Sequence, residues 1–209
     1  MTDTPAGTPA PTPRATGKGA RKRGELLDAA EHVLLASGYA DLSMRAVATA
    51  AGVRLGHLQY YFPARSDLVA AVLDRVLRRS LDRLEPLLAT AADPAGADPS
   101  TWVTALLEDQ DDPALVRLFT ELWALAALDE TVAVAVRAFY TAYRDQVAAH
   151  LGGRRPDLPA DECRARAEVF VMLVEGASLF RSGVAAHRSA RTDATLIATA
   201  AALLTARDR

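Results

Sequence analysis

Two glycines and a proline, Gly38, Gly52 and Pro63, divide the first third of this 209-residue chain into three short segments. The segment before Gly38 has apolar residues at spacings of three and four, namely Leu26, Leu27, Ala30, Val33 and Leu34. Residues 43–51 and 55–62 form the other two segments, and Pro63 cannot lie inside a helix. These helix-ending residues predict three short helices joined by tight turns, and they constrain the fold more than any other feature.

The remaining sequence also favours helices. Half of the residues are hydrophobic and only 6% are aromatic, so alanine, leucine and valine dominate the apolar positions. Helices are predicted at about 67–88, 100–110, 113–127, 129–151, 160–187 and 191–207, with a Pro- and Gly-containing loop at 91–99. We therefore expect an all-α protein of about nine helices, with a disordered tail at 1–19, a helix-turn-helix domain at 20–66 and a larger helical domain at 67–209.

The second and third predicted helices have the form of a helix-turn-helix, with Gly52 in the turn. Leu58 and Phe62 form the inward side of the third helix. The side chains of its outward side are donors, acceptors and aromatics, namely His57, Gln59, Tyr60 and Tyr61. Such groups suit contacts with base edges and phosphates in a major groove. From Arg14 to Leu68 there are eight Lys or Arg against five Asp or Glu, and the rest of the chain is acidic, which also favours a polyanion at this end.

The stretch from Arg23 to Leu73 resembles the DNA-binding domain of the TetR/AcrR (tetracycline-repressor-like) family. The matching residues are Leu27-Asp28-Ala29-Ala30, Gly38-Tyr39, Ser43, Arg45, Val47-Ala48, Ala51-Gly52-Val53, Gly56, Leu58, Tyr61-Phe62 and Leu68. The resemblance implies a homodimer that binds double-stranded operator DNA. It implies DNA contacts by Ser43, Arg45, Arg54, Gly56 through its amide, His57, Tyr60, Tyr61 and Arg65. Two positions depart from the family pattern, Leu55 and Gln59, and Gln59 can pair with adenine. Arg23, in the basic run Arg21-Lys22-Arg23, is expected to touch DNA, the alternative being a solvated tail.

A ligand cavity is predicted in the larger domain. Large or polar side chains recur there at helical spacings, namely Trp102, Phe119, Trp123, Tyr140, Tyr143, Met172 and Glu175. Plain core packing is the alternative for each aromatic residue, although buried Trp and Tyr need polar partners that a ligand site also needs. Glu121 and Glu175 lie within apolar stretches, where a carboxylate either pairs with Arg144 or Arg181 or meets a cationic or hydroxylated ligand.

The last two helices are apolar nearly all round, which predicts a dimer surface that includes Phe170, Leu173, Leu196, Ile197, Ala200 and Leu204. We expect a cytoplasmic transcriptional regulator, most simply a repressor that an apolar or amphipathic small molecule releases from its operator. No cofactor, metal, membrane or enzymatic activity is expected, because histidines are scattered and no catalytic or phosphate-binding motif is present. The alternative is a dimeric helical small-molecule-binding protein with weak or lost DNA binding.

Overall fold

The computed structural model describes residues 17–91 and 98–205, and these ranges contain nine α-helices and no β-strand. The helices are α1 (Gly17–Ser37), α2 (Met44–Ala50), α3 (Leu55–Tyr61), α4 (Arg65–Ala91), α5 (Pro99–Asp109), α6 (Pro113–Ala126), α7 (Glu130–Arg154), α8 (Ala160–Arg181) and α9 (Ala190–Thr205). The all-α fold predicted from the sequence is confirmed. Most of the predicted 91–99 loop, residues 92–97, lies outside the described residues.

Helix α1 ends where the sequence predicts. The backbone N–H of Gly38 donates to the carbonyl of Leu34 at 2.9 Å, and Gly38 has a φ of +84°. A left-handed residue just past a helix satisfies a terminal carbonyl, and glycine adopts this conformation without a steric penalty. The helix starts at Gly17, so the last three residues of the predicted 1–19 tail are helical; residues 1–16 lie outside the described residues.

Helices α4 to α9 form one packed body. Helix α7 packs on α4, α6 and α8, while α9 packs on α5 and α8. Asp98, Asp112 and Asp129 each cap the helix that follows, accepting backbone N–H groups of its first turn. The boundary predicted after residue 66 falls within the first turn of α4, which runs through the exposed Pro86 to Ala91.

Two predicted helix ends are wrong. Gly152 and Gly153 do not end α7, which continues to Arg154, because two glycines weaken a helix without removing its hydrogen bonds. Helix α8 ends at Arg181 instead of residue 187. There Gly183 turns the chain with a φ of +88°, and its N–H donates to the carbonyl of Ala186 at 2.9 Å.

Candidate nucleic-acid interface and ligand cavity

The turn between α2 and α3 is fixed by backbone hydrogen bonds. Gly52 adopts a φ of +63° and donates to Thr49, and Val53 donates to the carbonyl of Ala48 at 2.9 Å. Leu58 on α3 and Val47 on α2 are completely buried. The two short helices therefore pack through one apolar side each, and this packing fixes the direction of the opposite side of α3.

The outward side of α3 is open to solvent. His57, Gln59 and Tyr60 are exposed, and the Tyr60 side chain is 81% exposed. Tyr61 is half-buried, with its ring 5.1 Å from that of Tyr60 in an edge-on arrangement and 5.6 Å from that of His57. Gly56 has open space where a side chain would be, so its backbone can approach another molecule closely. This side of α3 carries donors, acceptors and ring faces toward solvent.

The other residues predicted to contact DNA surround α3. Arg45, in the first turn of α2, and Arg54, the residue before α3, are exposed. The Ser43 hydroxyl caps α2 by accepting the N–H of Ala46 at 3.1 Å. Arg23 is part of α1. Its guanidinium lies over the Phe62 ring, 4.9 Å from the ring centre, and this contact holds the arginine beside α3.

Arg65 has contacts within its own chain. Its Nε donates to the carbonyl of Leu42 at 3.0 Å, and its guanidinium lies over the Tyr39 ring, 4.8 Å from the ring centre. These contacts tie the start of α4 to the turn between α1 and α2. The Arg65 side chain is still exposed, so its role at DNA stays a prediction.

The turn between α1 and α2 also contacts α6 and the residue that precedes α7. The backbone N–H of Tyr39 donates to Glu121 Oε1 at 2.9 Å, and the Tyr39 hydroxyl donates to Asp129 Oδ2 at 2.9 Å. This hydrogen bond helps to hold the pKa of Asp129 below its usual value. Arg117 on α6 donates to the carbonyl of Leu35 at 2.8 Å. Helix α6 is thus attached to the helix-turn-helix through backbone groups.

Two cavities of the larger body are neighbours. The smaller, of about 50 Å³, lies among α4 to α8; the larger, of about 480 Å³, is an open cleft among α6, α7 and α8. Glu175 on α8 lines both. The smaller cavity includes Phe119, Tyr143 and Gln110 among its lining residues, and the cleft includes Trp123, Val136, Arg137, Tyr140, Arg144, Glu168, Val171 and Met172.

Glu175 is held by two neutral donors. Gln110 Nε2 donates to Oε1 at 2.9 Å, and the Tyr140 hydroxyl donates to Oε2 at 2.7 Å. The same hydroxyl accepts the indole N–H of Trp123 at 2.7 Å. Burial raises the pKa of Glu175, although the two hydrogen bonds oppose this effect. Burial also raises the pKa of Tyr143, whose hydroxyl has no partner within the described residues.

Six of the seven predicted ligand residues line one of the two cavities. The exception is Trp102, which is buried between Phe170 and His150, with ring centres 5.0 Å and 5.9 Å away. Its stacking belongs to the core, and its position away from both cavities corrects the prediction. Gln110 was not predicted, because it follows the last residue of α5 and no sequence signal distinguishes it.

The predicted partners of the two inner carboxylates are also wrong. Arg144 pairs with Glu168 at 2.9 Å, whereas Arg181 pairs with Asp111 and Asp193, both at 3.1 Å. Arg181 lies at the end of α8, where its buried guanidinium joins α5, α8 and α9 around the loop that ends α8. Neither arginine neutralises Glu121 or Glu175.

The residues predicted at a dimer contact fall into two groups. Phe170, Ala200 and Leu204 are buried within the core of this chain, so in this structure they are not available to a partner. Leu173, Leu196 and Ile197 are partly exposed. Helix α8 also exposes Val169 and Phe180, at 45% and 59%, on the same side as Leu173. The apolar surface therefore centres on α8.

No helix in residues 17–91 and 98–205 is both long and apolar enough to cross a bilayer. Nor do three or more His, Cys, Asp or Glu side chains in those ranges come together in a group that could hold a metal ion.

Comparisons with known proteins agree with this geometry. A profile of the tetR family of bacterial regulatory proteins matches residues 26–72, the segment from α1 through the first part of α4. An uncharacterized HTH-type transcriptional regulator from the dhlA 5′ region of Xanthobacter autotrophicus is 33% identical over 126 residues. That match spans 57% of this chain and 60% of the relative, which is less than two thirds of the relative's length.

Solved structures share the fold over most of the chain. A TetR transcription regulator from Haloarcula marismortui superposes with a TM-score of 0.65 and 21% identity, covering 88% of this chain and 97% of that one. The multidrug binding protein EbrR, complexed with proflavin, superposes with a TM-score of 0.64 and 22% identity, covering 87% of this chain and 99% of its own. At these identities the similarity concerns the fold alone.

Proposed function

We propose that this chain is a DNA-binding transcriptional repressor of the tetR family, whose profile matches residues 26–72, and that a small molecule releases it from its operator. The observation that carries the proposal is the outward side of α3. There His57, Gln59 and Tyr60 are exposed on a helix whose other side is fixed by buried packing. These side chains can reach base edges in a major groove, while Arg45 and Arg54 contact phosphates.

Operator binding is proposed to require a homodimer. Two recognition helices about 34–36 Å apart reach successive major grooves on one side of the duplex. The exposed apolar side chains of α8, Val169, Leu173 and Phe180, are the surface that we assign to the dimer contact. Burial of such a surface is favourable because it removes apolar area from water.

Release is proposed to act through α6. One part of this helix binds the turn between α1 and α2 through Glu121, and Phe119 and Trp123 on the same helix line the two cavities. A ligand that prefers one position of α6 therefore favours one orientation of the helix-turn-helix. It changes operator affinity only by the ratio of its affinities for the two conformers. The complex of EbrR with proflavin supports small-molecule binding in this fold.

Fluorescence anisotropy with the upstream intergenic DNA tests the proposal. We expect binding that falls steeply as salt is raised and that discriminates against a scrambled duplex of the same length. Binding that is indifferent to sequence would contradict a repressor and leave the dimeric small-molecule-binding protein as the better account.

A further inference from the structure

Glu175 has an unusual position, because its carboxylate is largely buried and no cation pairs with it within the described residues. We propose that the effector is an organic cation with an apolar body, which lies in the cleft among α6, α7 and α8 and has its charge neutralised by Glu175. This inference rests on the proposed function and names the chemical class of its effector.

The hydrogen bonds show that Glu175 acts as an acceptor on both oxygens. The indole of Trp123 can only donate, so the Tyr140 hydroxyl must accept from it and directs its own proton to Glu175 Oε2. Gln110 Nε2 donates to the other oxygen. Two donors suit the ionised form of a carboxylate, yet neither carries a charge to offset its burial.

The arginines near the cleft are already engaged. Arg144 donates to Glu168 at 2.9 Å, and Arg137 donates to Glu130 at 2.5 Å. A buried charge is expensive unless it is paired, and removal of its counter-charge is strongly destabilising. A cationic ligand would supply the missing counter-charge only while it is bound. The ligand-bound and ligand-free states would therefore differ in free energy.

The surroundings of Glu175 suit the rest of such a ligand. Aromatic rings form a connected group next to the carboxylate, with ring centres 4.9 Å apart for Phe139 and Tyr140 and 6.4 Å apart for Phe119 and Trp123. Ring faces are electron-rich and attract cations, above all when water is excluded. Val136, Val171 and Met172 give the cleft an apolar wall.

Two buried polar atoms extend the site. Gln110 Oε1 and the Tyr143 hydroxyl have no hydrogen-bond partner within the described ranges, and both residues line the smaller cavity beside Glu175. A protonated amine could donate to Gln110 Oε1, whereas a quaternary ammonium could not. Both head groups carry the positive charge that would neutralise Glu175, so the experiment compares one ligand of each kind.

Isothermal titration calorimetry of the full chain with three ligands that share a benzyl group provides the test. Benzylamine is protonated, benzyltrimethylammonium is permanently charged and benzyl alcohol is neutral. We expect at least one cation to bind about tenfold or more tightly than the alcohol. Glu175→Gln, which keeps the shape of the side chain, should remove that preference. Glu108→Gln is the matched control, since it makes the same change at an exposed side chain of α5.

The outcomes are distinct. A preference for benzylamine assigns a protonated amine, and a preference for benzyltrimethylammonium assigns a quaternary ammonium. Equal binding of the alcohol, an unchanged preference in Glu175→Gln, or no binding of either cation at millimolar concentration overturns the inference. Operator anisotropy on the same samples separates the two proposals. Intact operator binding without cation binding rejects only the effector class, whereas cation binding without operator binding rejects only the repressor.

Discussion

At the scale of the single residue, we expect Glu175 to lower the stability of the folded chain as pH rises. Its pKa is higher in the folded chain than the ordinary value of 4.5, because burial disfavours the charge. A carboxyl of this kind stabilises the fold most below its unfolded pKa, and the contribution is lost as pH rises through the folded pKa. Tyr140 and Gln110 donate to its carboxylate, and Tyr143 lines the smaller cavity beside it. The charged groups that line the same two cavities are Arg83, Asp109, Arg137, Arg144 and Glu168, and each of them belongs to an ion pair. Burial raises the pKa of both tyrosines away from this window.

We therefore expect Glu175→Gln to be more stable than the wild type at pH 7.5, on the order of 1 kcal/mol, with a difference that shrinks toward pH 4.5. Urea unfolding of both proteins across this pH range measures it, and Glu108→Gln should show no such trend. A wild type that gains stability over Glu175→Gln with rising pH would mean that an unrecognised cation pairs with the carboxylate.

Gly38 is a residue whose identity is dictated by its backbone conformation. At a φ of +84° a side chain is strained, and an added Cβ would lie 3.1 Å from both carboxylate oxygens of Glu121. We expect Gly38→Ala to lower the free energy of unfolding by about 1–3 kcal/mol. Gly24→Ala, in the middle of α1 with open space around it, should raise it by about 0.5–1 kcal/mol. Thermal unfolding of the two variants provides the comparison, and equal destabilisation would show that the turn is not strained.

At the scale of the element, base contacts and phosphate contacts on α2 and α3 should be separable. Gln59→Ala is expected to cost about 1–3 kcal/mol on the operator and to relax specificity at one base pair. Arg54→Ala is expected to weaken binding to operator and scrambled DNA alike and to reduce the salt slope by about 0.9. Anisotropy titrations over a salt series measure both quantities. The control is Arg164→Ala, an exposed arginine on α8, and a salt slope that changes equally there would contradict the assignment.

The elements also show what sequence reasoning can reach. Helices α1 to α3 are predictable because their ends depend on local signals, such as the Ser43 cap and the left-handed Gly38 and Gly52. The end of α8 was missed although Gly183 also marks it locally, because apolar residues continue past this glycine in the sequence. The pairing of Arg181 with Asp111, which holds this end in place, joins residues far apart in the chain. The cleft could be predicted in part. Helical spacing selects Tyr140 and Glu175, but the contact between Glu175 and Gln110 joins residues far apart in the chain and has no signal in the sequence.

At the scale of the whole molecule, the exposed apolar stripe on α8 should govern assembly and, through it, operator binding. Val169, Leu173, Gly176 and Phe180 follow one another at spacings of four, three and four, so they share one side of the helix. Phe180→Asp is expected to weaken dimerisation by about 30-fold or more, because it places a charge at an aromatic side chain that the dimer contact would bury. Operator affinity should fall with it, since each monomer reaches only one half-site. Sedimentation velocity measures the association, with Val134→Asp, an equally exposed apolar position on α7, as the control. If Phe180→Asp remains dimeric, or if Val134→Asp dissociates, the dimer surface lies elsewhere, and the spacing of the two recognition helices must be derived from that other contact.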